Sequence, residues 1–264
     1  MKFKSFYMGS AIFNCAMKDA SGLWQTAEPC LYYSYHSHFE KVAPLLARIY
    51  HEDGEKGMKT WGRISALAAL SNRIDFDVWL EDLKTLGVTD AWQGAASVWT
   101  NTENIKQHRS QCLAGIEAGL NADSPHANII AKGLEKLFRD STSVISIRTE
   151  LIRKCFSILE NDNENRQHYF FEFGDWLNGI SQHDPEQAIA ATEIFLTYVK
   201  RTRPYLYDHG NNLTQLMTRL FSEAEEREES DHGEMLRRVV SIQDTLLSLG
   251  LDSINDWLRA AERP

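Results

Sequence analysis

Apolar residues return every three or four positions along most of this chain. Phe39, Val42, Leu46 and Ile49 follow one another at i, i+3, i+7 and i+10, and Phe170, Phe173, Leu177 and Ile180 repeat the same spacing. A helix of 3.6 residues per turn gathers such positions into one stripe that can be buried while the opposite face stays wet. The strongest stripe is Leu213, Leu216, Met217, Leu220, Phe221 and Ala224. Start signals agree with the stripes. Ser124-Pro125 and Asp184-Pro185 each put a capping side chain before a proline, whose missing N–H costs nothing at the first helical position. Gly87 and Gly250 stand where helices should stop. No alternating run of five or more residues suggests a strand. The nearest to one is the aromatic "CLYYSYHSHF" at residues 30–39, which reads as a short extended piece. The expected fold is all-α, with about a dozen helices.

The helices pair. Starts of two-helix units placed at Ser37, Asp75, Ile105, Ser143, Asp184 and Ser230 fall roughly 30 to 46 residues apart, close to the ~40–47 of HEAT and armadillo units. Two segments echo each other: "WGRISALAAL" from Trp61 and "WQGAASVW" from Trp92 both set a tryptophan ahead of a run of small residues. Gly62, Ser65, Ala66, Ala68 and Ala69 in the first, and Gly94, Ala95, Ala96 and Ser97 in the second, allow a neighbouring helix to approach closely. A lone helix pair cannot bury its apolar face, so pairs should stack into an α-solenoid. The alternative is a compact, non-repeating helical bundle. The expected organisation is an irregular or partly extended segment over 1–35 and a helical-repeat domain over 36–264.

Composition changes this picture little but excludes some functions. With 37 acidic against 28 basic side chains the net charge is −9, which disfavours electrostatic capture of nucleic acid or anionic membrane. No run of about 18 apolar residues suggests a membrane span, and the opening "MKFKSFYMGSAIFNCAMKDASG" breaks its apolar run with Asn14, Lys18 and Asp19, unlike a secretory signal. Cys15, Cys30, Cys112 and Cys155 form no Cys-x-x-Cys pair and read as reduced, buried thiols of a cytoplasmic protein.

Candidate chemistry is sparse. "HEDGEKGMKT" at 51–60 resembles a phosphate loop superficially. In that loop four residues separate the glycines and the lysine directly follows the second, whereas here Gly54 and Gly57 are two apart and Met58 precedes Lys59 and Thr60. The residues before it have helical spacing, and no downstream strand ends in a magnesium-binding aspartate, so an inter-helix turn is expected. His36-x-His38 has metal-ligand spacing but leads into a helix. His183-Asp184 fits a helix cap better than a metal pair, and Asp231-His232 follows the carboxylate run "EAEEREES", which reads as a solvated helix end. A helical metal-dependent hydrolase would need His36, His38, His183, His209 and His232 to converge in space with acidic partners. No catalytic, cofactor-binding or metal-binding residue is assigned, and no cofactor is expected.

The stretches "HFEKVAPLLARIY…WGRISALAAL" from His38, "AWQGAASVWTNT" from Ala91 and "LTQLMTRLFSEAE…LRRVVSIQDTLLSLG…WLRAAERP" from Leu213 resemble the C-terminal HEAT-like helical-repeat region of large bacterial STAND-type NTPases, relatives of NACHT and anti-phage sensor proteins. The resemblance extends over about residues 36–264. It implies a bacterial defence setting in which helical repeats recognise a trigger, usually a foreign protein, and release an ATPase. No nucleotide-binding module or effector is recognisable here, so no functional residue carries over. The expectation is a non-enzymatic protein-recognition scaffold, a sensor arm acting as a fragment or in trans, that binds protein partners over a concave surface. Trp61, Trp79, Trp92, Trp99 and Trp176 are its candidate anchors if they face solvent, although buried packing suits most of them better.

Overall fold

The computed structural model describes residues 24–52, 57–122, 124–139, 145–161, 173–202, 206 and 208–251. Among these, every regular element is helical, as the periodicity requires. The helices are α1 (Trp24–Tyr35), α2 (Phe39–Glu52), α3 (Met58–Leu70), α4 (Phe76–Leu86), α5 (Thr89–Trp99), α6 (Thr102–Gln107), α7 (Arg109–Leu120), α8 (Ser124–Arg139), α9 (Thr149–Glu160), α10 (Phe173–Ile180), α11 (Pro185–Thr202), α12 (Asn212–Asp231) and α13 (Glu234–Ser248). A single 3-10 turn, His209–Asn211, precedes α12.

The aromatic segment corrects one expectation. Residues 24–35 are helix and not extended. Ala27, Leu31 and Tyr35 are buried at i, i+4 and i+8 while Tyr33 is 78% exposed, a helical division of faces that strand alternation would not produce. The chain turns only at His36-Ser37 before α2 begins. The rest of the expected irregular segment, residues 1–23, lies outside the described residues, as do Gly54, Cys15, Phe170 and Ser143.

Of the expected unit starts, Ser37 precedes α2, Asp75 caps α4 and Asp184 caps α11. Ile105, however, is inside α6, and Ser230 is in the last turn of the 20-residue α12. The carboxylate run "EAEEREES" is the solvated C-terminal end of α12, as expected, and it stays helical as far as Ser230 because glutamate and arginine are good helix formers and Arg227 pairs with Glu223 one turn back. A regular repeat period is therefore not met at these two positions.

The chain divides into two compact units, the first ending at Gly133 and the second beginning at Leu134. In the first, α3 and α5 cross at their glycines. A Cβ at Gly62 would fall 2.8 Å from the carbonyl carbon of Ala91, and one at Gly94 would fall 2.7 Å from the backbone nitrogen of Arg63. Both distances are shorter than any Cβ tolerates, so the two echoing tryptophan–glycine segments are one reciprocal helix–helix contact with backbone against backbone. Around it Trp61, Trp79, Trp99 and Trp92 form a continuous row, with ring centroids 6.3, 5.8 and 6.1 Å apart. His126 of α8 stacks on Trp92 at 5.5 Å. On α7, Gly115 makes room for the ring of Trp99, and Gly119 for the side chain of Ile130 and the edge of Trp92.

The second unit is built on another aromatic cluster, in which Phe138, Phe156, Phe173, Trp176, Phe195 and Tyr198 contact one another at 4.8–5.8 Å. Trp176 donates its indole N–H to the Ile145 carbonyl at 3.0 Å, which satisfies a buried donor. Between α10 and α12, Arg219 donates through one Nη to the Asn178 carbonyl, the Asn178 side chain and Ser181 Oγ at 2.7–2.9 Å, and so closes the C-terminal end of α10. Arg238 of α13 reaches α11, pairing with both oxygens of Glu193 at 2.9 Å and with Glu186 at 3.0 Å.

Candidate functional site

The tryptophans do not form a solvent-facing recognition surface. Trp61, Trp79, Trp92, Trp99 and Trp176 are each 6% exposed or less, so packing, the better-suited of the two readings, describes all five. The indole N–H groups of Trp79, Trp92 and Trp99 have no acceptor among the described residues, and these rings meet largely edge-to-face within the row.

The histidines and acids of the candidate metal sets also go their separate ways. His36 Nε2 lies 2.9 Å from the Tyr35 hydroxyl, and His38 sits 3.9 Å from Glu40. Asp184 accepts from the Gln187 N–H at 2.9 Å, the geometry of an N-cap, and His183 beside it is exposed. Asp231 accepts from the N–H groups of Gly233 and Met235, while His232 ends α12 in the left-handed region with φ 56°. This pair builds the α12–α13 turn. The side chain of His209 lies outside the described residues. Among the described residues no three His, Cys, Asp or Glu side chains are placed to hold a metal ion.

Lys59 and Thr60 of the glycine–lysine stretch fall in the first turn of α3, after Gly57 and following a helix, so the strand that a phosphate loop requires is replaced by α2. Cys112 and Cys155 are buried and Cys30 half-buried. Burial pushes the Cys112 thiol up to about 12, which leaves it protonated and unreactive at neutral pH.

Two concave features stand out among the described residues. In the second unit a groove of about 460 Å³ runs between α9 and α11. Phe156 and Tyr198, both 2% exposed, belong to its floor, and Ile194 and Ala190 add apolar wall. Arg153, Glu160, Glu193 and Arg201 are the charged residues that line it, and Arg201 pairs with Glu160 across the two helices at 3.3 Å. In the first unit a smaller cavity of about 320 Å³ lies among α2, α3 and α4, with Tyr50, Trp61 and Trp79 in its wall.

Sequence reasoning missed both features, although a signal for the groove was present. Arg153, Phe156, Ser157 and Glu160 follow i, i+3, i+4 and i+7, and Ala190, Glu193, Ile194, Thr197, Tyr198 and Arg201 continue the same progression on α11. Each set is one face of a helix on which charge and aromatic residues mix, whereas a solvated face carries charge alone. That the two faces meet is a tertiary fact which periodicity cannot supply. No family model matches the chain, and neither a curated protein nor a solved structure matches it, so its function rests on this geometry.

Proposed function

We propose that the protein is a non-enzymatic recognition scaffold whose α9–α11 groove receives a segment of a protein partner. The groove carries this reading: an aromatic and aliphatic floor with a rim of both charge signs is the arrangement on which protein interfaces concentrate affinity, the floor excluding water and the rim setting register. Its ~460 Å³ suits a few side chains of a docked helix or extended peptide. The mixed rim, with arginines and glutamates interleaved, favours a partner that alternates charge over one of a single sign. Stacked helix pairs of the HEAT type would extend such a groove into a longer concave surface, and on the resemblance to STAND-type sensor regions that surface would recognise a foreign protein, with the nucleotide switch in another chain. Affinity capture from the native cell, with bound proteins quantified by mass spectrometry, should recover one protein at near-stoichiometric amount. Recovery of none across several ionic strengths contradicts the proposal.

A further inference from the structure

We infer that the cavity among α2, α3 and α4 is a binding site for a small organic cation, an alkylammonium head of quaternary type. This goes beyond the scaffold reading and lies in the other unit, so either can fail without the other. Three contacting aromatic rings line it: Tyr50 and Trp61 have centroids 5.4 Å apart, and Trp61 and Trp79 are 6.3 Å apart. Phe39 and Leu46 complete the apolar wall. Asp82, one turn after Trp79 on α4, is the one carboxylate among the described lining residues, and no ion pair engages it. Aromatic faces attract cations through their quadrupole, and most strongly heads with a diffuse, weakly hydrated charge. A single unpaired acid at the edge of such a wall adds Coulomb attraction without closing the site with a salt bridge of its own. The ~320 Å³ volume lies at the small end of ligand cavities and accommodates a trimethylammonium head with a short stem. His51, at the rim, edges the Tyr50 ring at 5.0 Å.

The experiment is isothermal titration of the full chain at pH 8 with choline and with 3,3-dimethyl-1-butanol, its uncharged carbon isostere. Choline should bind roughly ten-fold more tightly than the isostere, the factor that a cation–aromatic attraction of this kind supplies. The exposed-site variant Asp82→Asn should lower that ratio, and Ala47→Trp, made at an exposed lining position, should abolish binding of both while the helical circular dichroism is unchanged. Equal binding of choline and its isostere, or no binding of choline up to roughly 10 mM, overturns the inference. So does binding of a trimethyl-lysine peptide without binding of free choline, which would make the cavity a contact for a protein side chain.

Discussion

Single atoms decide the first unit. At Gly62 and Gly94 any side chain meets opposing backbone, which cannot move aside, so Gly62→Ala should cost about 3 kcal/mol or more in chemical unfolding, at or beyond the upper end of ordinary overpacking. Gly87→Ala provides the contrast. It closes α4 with φ 61° and has nothing within 4 Å of a Cβ, so it should cost only about 1 kcal/mol of backbone strain. The small-residue runs announced this crossing in the sequence. Its reciprocity was not legible there, since it depends on which helix faces which. Cys112 adds a pH signature. Its folded pKa of about 12 lies above the ordinary 9.0, so the stability it contributes is fully present below pH 9 and is lost as pH rises toward 12, where the unfolded thiol ionises first. Unfolding free energy should therefore fall with pH across that window, and Cys112→Ala should flatten the fall by up to about 1.4 kcal/mol per pH unit. An unchanged slope would exclude the thiol as its source.

At the scale of elements, caps and stops proved the most readable features. Asp75 accepts from Val78 N–H, Asp184 from Gln187 N–H, and Gly87 and Gly250 both have positive φ, because these are local chemistries that the neighbouring residues suffice to specify. The "CLYYSYHSHF" segment was misjudged because aromatic residues favour strands by intrinsic preference, while the burial of Leu31 and Tyr35 one turn apart favours helix, and packing prevailed. The ties between helices were not visible at all. Arg238 joins α13 to α11 across 45 residues of sequence to Glu193, whose hydrogen bond raises the arginine pKa further. Because the pair is partly exposed, Arg238→Ala should cost no more than about 1 kcal/mol, and raising salt should shrink the difference between variant and wild type. A cost that is insensitive to salt would point instead to lost packing of the arginine stem.

For the whole molecule, the all-α class followed from periodicity, but the function did not, because each wall of the α9–α11 groove looks like an ordinary amphipathic face until the other is set against it. The tryptophans drew attention as anchors and turned out to be core, while the residues that line the groove, such as Phe156, Ile194 and Tyr198, carried no distinguishing motif. The central claim is that this groove receives a protein segment, and filling it without disturbing its floor tests that claim most directly. Thr197 is an exposed lining position, so Thr197→Trp should occlude the groove and leave the fold intact. The measurement is the affinity of wild type and Thr197→Trp for the partner recovered by capture, with thermal unfolding of both as the control for folding. The account predicts at least a roughly ten-fold loss of affinity at unchanged stability, the effect of blocking a buried anchor. Equal affinity of the two proteins would contradict it.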